Sequence, residues 1–173
     1  GPDGALYVVD MYRRFIDHSR FFPEDFSESH YMRAGLDQGR IWRLVPKGAS
    51  APTIDPLPQT VAGLVAELSS PHGWRRTNAQ RILVERKMTE AEPAIRSLLH
   101  KHETPKAQAH AFGTLAGLGL LTPEDVMLAL GASESGVVEV ALSWSARDFF
   151  ADEAVRREVR SLTADPRPRV RFL

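Results

Sequence analysis

The sequence predicts a mainly α fold, an α-α superhelix preceded by a short β-containing segment. Three observations predict it. From Leu57 onward, apolar residues recur at helical spacing in stretch after stretch; Val61, Leu64, Val65 and Leu68 stand at i, i+3, i+4 and i+7. These stretches repeat at a nearly fixed period. Before Pro46 the pattern is different, with two β-rich runs and turn signals.

In chain order, Pro2-Asp3-Gly4 is a turn signal and Leu6-Tyr7-Val8-Val9 reads as a strand. Arg40–Val45 alternates strictly, with Ile41, Arg43 and Val45 on one side and Trp42 and Leu44 on the other. Between the two, Met11–Gln38 is dense in aromatics and charges and has no helical period beyond Met11–Asp17. It reads as a long excursion joining two strands. Lys47–Pro58 carries three prolines and no periodicity. The expected organisation is therefore a first segment at 1–46, a linker at 47–56 and a helical domain at 57–173.

Within the helical domain, Val61–Leu68 is the first stripe. Trp74–Lys87 is the second helix, with Ala79, Ile82 and Leu83 inside. Thr89 and Glu92 read as a capping box opening a third, which faces Ala91, Ile95, Leu98 and Leu99 inward. Thr104–Leu121 is the central helix: Thr104 suits the N-cap, Pro105 the first helical position, and Ala107, Ala111, Leu115 and Leu118 share a face. Thr122-Pro123-Glu124-Asp125 caps a short helix ending at Gly131. Val137, Val140, Ala141 and Trp144 form a sixth stripe. Asp152 opens a seventh helix through Val155, Val159 and Leu162, and Asp165-Pro166 starts an eighth. The expected core comprises Val61, Leu64, Leu68, Ile82, Leu83, Ile95, Leu98, Leu99, Ala111, Leu115, Val140, Ala141 and Val155. Trp74 and Trp144 read as core residues between repeats.

The second members of successive pairs overlay. Arg75-Arg76-x-x-Ala79-x-x-x-Leu83 aligns with Ala107-Gln108-x-x-Ala111-x-x-x-Leu115, then Val137-Val138-x-x-Ala141, then Val170-Arg171, at offsets of 32, 30 and 33 residues. Periods in this range mark stacked helix pairs, each too small to bury its apolar face alone.

Composition excludes several functions. The 22 basic and 22 acidic residues balance, which argues against a strong footprint for nucleic acid or an anionic membrane. No apolar run approaches the roughly 18–20 residues a spanning helix needs, so no membrane insertion is expected. Cysteine is absent, which removes disulfides, thiolate metal sites, thiol catalysis and covalent c-type haem attachment from this chain. His100 and His102, two residues apart, diverge on a helix; with His110 in the next one they form no metal-ligand pattern. Neither a metal nor a cofactor is expected in this chain.

The helical repeats resemble HEAT repeats, whose second helix often carries an Asp-x-x-x-x-Val-Arg pattern beside a proline; Asp165-Pro166-Arg167-Pro168-Arg169-Val170-Arg171 has that form. The first segment is more distinctive. Gly1-Pro2-Asp3-Gly4-Ala5-Leu6-Tyr7-Val8-Val9-Asp10-Met11-Tyr12-Arg13, then Arg33-Ala34-Gly35 and Gly39-Arg40-Ile41-Trp42-Arg43, resembles the closing portion of a β-propeller. The propellers concerned belong to large bacterial membrane-bound dehydrogenase-like proteins, similar to soluble glucose and sorbosone dehydrogenases. That resemblance implies a parent in which a propeller is followed by HEAT-like repeats and a domain carrying c-type haem. It also implies quinone and calcium as parent cofactors and a periplasmic or extracytoplasmic location. This chain departs from the pattern at both ends, with most of the propeller missing and no Cys-x-x-Cys-His; its opening reads as the interior of a longer protein.

At a propeller mouth, Asp10, Tyr12, Arg13, His18, Arg33, Asp37 and Arg40 would line a sugar or quinone pocket or lend carboxylates to calcium. The favoured reading is that Asp10, Tyr12, Arg13, Arg14, Asp17 and His18 pair with Asp37, Arg40 and Arg43 to fix the excursion onto the strands. Arg75, Arg76, Arg81, Arg169 and Arg171 form the candidate interaction surface of the helical domain, able to take phosphate or an acidic peptide. HEAT-like DNA glycosylases use such a groove, yet interspersed glutamates favour a salt-bridged face and argue against nucleic acid. The expected role is a non-catalytic scaffold whose partners are other domains of the parent or another protein. The first segment contributing to a quinone-dependent sugar or alcohol dehydrogenase site is the alternative.

Overall fold

Caps and glycines end the helices largely where the local sequence demands. The computed structural model describes residues 1–27, 34–48, 55–101 and 104–172. Arg33, His102 and most of the expected linker lie outside them. The chain divides into two compact units, Gly1–Ile54 and Asp55–Leu173.

The N-terminal unit is built on an antiparallel pair, β1 (Leu6–Asp10) and β2 (Arg40–Leu44), in the register Leu6↔Leu44, Val8↔Trp42 and Asp10↔Arg40. Met11–Asp17 is not helical, contrary to the period seen there, because Tyr12 adopts φ 49° and turns the chain at once. A 3-10 turn at Ser19–Phe21 and one short helix, α1 (Glu24–Ser27), follow. Phe15 meets Phe22 and Phe26 edge-on, and Phe22 and Phe26 lie tilted to each other, all at 5.2–5.8 Å between ring centroids, giving the excursion a small apolar centre of its own.

The second unit is helical throughout its described residues: α2 (Val61–Glu67), α3 (Gly73–Glu85), α4 (Glu92–Lys101), α5 (Pro105–Leu118), α6 (Pro123–Leu130), α7 (Ser135–Trp144), α8 (Glu153–Ser161) and α9 (Pro168–Arg171). Here α2 packs on α3, α4 on α5 and α6 on α7. Helices α3, α5, α7 and α9 contact one another in succession as one layer, while α2–α4 and α6–α8 contacts belong to the other. The aligned residues Ala79, Ala111 and Ala141 are all fully buried, as are Leu83 and Leu115.

Helix α5 shows why the layers close. Thr104 Oγ1 accepts from the Ala107 N–H, and Pro105 opens the first turn. The helix ends at Leu118, three residues earlier than expected, because Gly119 takes the left-handed conformation (φ 72°). Gly119 N–H then donates to Ala116 and Leu120 N–H to Leu115, a Schellman closure of the orphan carbonyls. Because α5 touches α3, α4 and α7, it is buried almost all round: Ala107, Gln108, Ala111, Phe112, Thr114, Leu115 and Ala116 are covered. Gly117 permits the approach of α3, since a methyl there would stand 2.7 Å from Val84 Cγ2.

The expected core is largely buried. Leu64, Leu68, Leu83, Ile95, Leu99, Ala111, Leu115, Ala141 and Val155 are covered, while Val61, Ile82, Leu98 and Val140 are half-buried against them. Trp74 is a correction: it stands in the first turn of α3 and is 38% exposed, whereas Trp144 packs against the core. Two helix starts also differ. Thr89 begins a 3-10 turn rather than a capping box, because Lys87 takes φ 52° just before it, and Glu92 turns to Arg96 instead. Helix α9 begins at Pro168, since Asp165 spends its carboxylate on the Arg167 guanidinium and backbone.

One ion pair ties α4 to α6. Asp125, 1% exposed, accepts from Arg96 Nη1 and from both the backbone N–H and the hydroxyl of Thr122 (3.0 and 3.1 Å). Arg96 also reaches Glu92 (2.8 Å) and the Leu120 carbonyl (3.0 Å), so one guanidinium joins two helices and the turn between them.

Candidate functional site

The strand register builds the candidate site. Residues opposed in an antiparallel pair share a face, so Asp10 and Arg40 meet directly, with Trp42 one step along. Asp10 Oδ2 accepts from Arg40 Nε (3.1 Å) and Trp42 Nε1 (3.0 Å), and its Oδ1 from the Tyr12 N–H (2.8 Å). The Trp42 and Tyr12 donors, aided by the Arg40 charge, hold the Asp10 carboxyl below the usual carboxylate range against the cost of desolvation. The Arg40 guanidinium lies over the Tyr12 ring at 4.0 Å and the Trp42 ring at 5.3 Å.

Behind this cluster the chain folds back on itself. Arg14 N–H donates to the Ala34 carbonyl (3.4 Å), and Gly35 (φ 84°) packs so closely on the Tyr12 carbonyl that no Cβ fits. Asp10, Tyr12, Arg13, Arg14, Ala34 and Gly35 line an open cleft of about 410 Å³. Of the residues expected there, the structure thus brings together Asp10, Tyr12, Arg13 and Arg40. His18 is engaged elsewhere, accepting from the Arg20 N–H and meeting Phe21 edge-on. Asp37 is exposed and lines none of this cleft.

On the other face of the sheet Asp3 binds Arg43 (2.6 Å), the Tyr7 hydroxyl (3.0 Å) and the Ala5 N–H (3.1 Å). Sequence reasoning missed Asp3; its place two residues after the chain's opening glycine, in a turn signal, disguised it as punctuation. The strands themselves are apolar and uncovered on both faces. Leu6 (62% exposed) and Trp42 (50%) stand on one, Val9 (73%) and Ile41 (67%) on the other.

The five arginines of the candidate interaction surface all have acceptors within the helical unit. Arg75 is bidentate to Glu67 and reaches the Asp55 carbonyl. Arg81 pairs with Glu85 and Arg169 with Glu139. Arg76 Nη1 donates to the carbonyls of Ser70 (2.7 Å) and Pro71 (2.9 Å), and Arg171 Nη1 to those of Asp165 (2.6 Å) and Pro166 (3.1 Å). Arg76 and Arg171 occupy the same aligned position, and each hooks back onto the turn before its own helix.

Residues 1–48 match a family described as a domain of unknown function, DUF7133. No curated protein and no solved structure matches the chain. Among the described residues no helix is long and apolar enough to cross a membrane.

Proposed function

We propose that this chain is a non-catalytic scaffold. Its helical unit is a HEAT-like spacer, and its N-terminal unit is an attachment element that completes a larger β assembly in a parent protein. The observation that carries this reading is the two-stranded sheet with apolar side chains uncovered on both faces. An isolated pair of strands is marginal in water, and sheets that are apolar on both sides are those buried on both sides. Repetition supports the spacer reading: Ala79, Ala111 and Ala141 are buried in register, and Arg76 and Arg171 make the same hook. By resemblance the assembly would be a dehydrogenase-like propeller, joined through this chain to an electron-transfer domain carrying haem outside the cell's cytoplasm. Nucleic acid is not favoured, because the five groove arginines already serve internal acceptors.

The test has two arms. The 173-residue chain, supplied with an aldose or alcohol, a quinone and a dye acceptor, should show no turnover. In a longer polypeptide carrying the upstream propeller, Val9→Lys with Ile41→Lys should unfold or release the propeller's closing blade, whereas the same pair should leave the helical unit's melting unchanged. Turnover by the chain alone would instead favour a contribution of the Asp10–Tyr12–Arg13 cleft to a dehydrogenase site.

A further inference from the structure

We propose that the cleft lined by Asp10, Tyr12, Arg13, Arg14, Ala34 and Gly35 binds a small oxyanion, the carboxylate or phosphate group of a small molecule, with Arg13 as its principal charge. Among the described residues Asp10 is the one carboxylate lining the cleft, and its charge is already met by Arg40, the Trp42 indole and the Tyr12 N–H. Arg13 and Arg14 line the same space, and because Arg14 is engaged by interactions of its own, Arg13 supplies the uncompensated charge. The balance is positive, so a divalent cation fits the cleft poorly and an anion fits well.

Arg156 on α8 is half-buried without a side-chain partner among the described residues, whereas the half-buried Arg75, Arg76, Arg96 and Arg167 each bind an internal carboxylate or carbonyl. Arg13, like Arg156, is half-buried and has no hydrogen-bond or ion-pair partner among the described residues. A partly desolvated charge without a counter-charge is unfavourable, and a guanidinium fork is matched by a carboxylate or a phosphate.

The wall of the cleft is held, not loose. Tyr12 sits at φ 49°, a conformation non-glycine residues seldom adopt, and is fixed there from three sides. Its N–H is bound to Asp10, its ring lies under Arg40, and its carbonyl abuts Gly35. Backbone strain kept in place by its surroundings is concentrated at binding sites. Here the kink follows directly on β1 and places Arg13 at the cleft rather than in strand register. A volume of about 410 Å³ lies in the range of small-molecule sites.

The proposal is independent of the scaffold reading, and its failure would leave that reading standing. The experiment is calorimetric titration of the 173-residue chain, at low salt, with inorganic phosphate in one arm and succinate in the other. Saturable binding is expected in at least one arm; phosphate alone would assign a phosphate ligand, succinate alone a carboxylate. Arg13→Gln should weaken binding at least 10-fold, and Arg13→Lys should restore part of it. Arg86→Gln, at the C-terminal cap of α3, should change nothing. Circular dichroism of each variant, with the phosphate-dependent rise in the wild-type melting temperature, separates loss of binding from loss of fold. Absence of binding in both arms, or wild-type affinity in a folded Arg13→Gln, would overturn the proposal.

Discussion

Asp125→Ala removes a carboxylate that does two jobs at once. Asp125 is the third residue of α6, and it returns the Thr122 cap while anchoring Arg96 from α4. Losing the capping interaction costs about 1 kcal/mol. Breaking a buried ion pair by removing one partner costs roughly 3–5 kcal/mol, because the other charge is left without compensation. Arg96 retains 27% exposure, and it keeps Glu92 and the Leu120 carbonyl, so water and these acceptors relieve part of that cost. The expected loss is about 3 kcal/mol. At roughly 4 °C per kcal/mol for a unit of this size, the melting temperature should fall by about 12 °C. Urea denaturation followed at 222 nm should show a lower midpoint with an unchanged slope. The double variant Asp125→Ala with Arg96→Met should be clearly less destabilised than the sum of the singles, since no guanidinium is then orphaned. An Asp125→Ala loss below about 1 kcal/mol, or strict additivity of the two, would refute the reasoning.

Other expectations follow from single contacts. Ala111→Leu, at a fully buried position of α5 flanked by α3, α4 and α7, should overpack and cost about 1–3 kcal/mol by the same urea assay; Lys106→Leu, exposed on the same helix, is the comparison and should lie within about 0.5 kcal/mol of wild type. Gly35→Ala should lower the melting temperature of the N-terminal unit, followed through Trp42 fluorescence, because φ 84° is strained for alanine and its methyl meets the Tyr12 carbonyl. His110 is half-buried beside Arg76, and its Nδ1 donates to Gln80 Oε1 (2.7 Å); burial first, and then the Arg76 charge, lowers its pKa from 6.5. Its neutral form is thus the folded one, and the sign is definite: stability is full above pH 6.5 and is lost as pH falls through the lower folded value. Thermal melts from pH 7.5 to 5 should show that decline, and His110→Gln should flatten it.

Much of the helical unit was legible because helix ends are local events. Thr104, Thr122 and Asp152 cap where their hydroxyl or carboxylate must; the stop at Gly119 is equally local, yet the apolar run carried the expected helix on to Leu121. What escaped sequence reading depends on distance or on a single backbone angle. The partner of Asp125 lies 29 residues away, and nothing in the local pattern names it. Lys87 and Tyr12, both at positive φ without being glycine, redirected the chain where periodicity suggested continuation. The apolar stripe of α5 showed one face, whereas contact with three helices covers nearly all of it and makes Phe112 the largest fully buried side chain. At the candidate site, Asp10 was read as following the first strand, and its place opposite Arg40 comes from the strand register. The separation of His18 from them was not legible, because it depends on the turn at Ser19–Phe21.

Amide hydrogen exchange in β1 and β2 tests the central claim most directly. In the 173-residue chain, Leu6–Asp10 and Arg40–Leu44 pair with no other strand among the described residues, and their amides should exchange far faster than those of α5. In a longer polypeptide containing the proposed upstream β domain, the same amides should slow by at least about 100-fold, the equivalent of roughly 2.7 kcal/mol. Equal exchange in the two proteins would contradict the account, since the strands would then complete nothing.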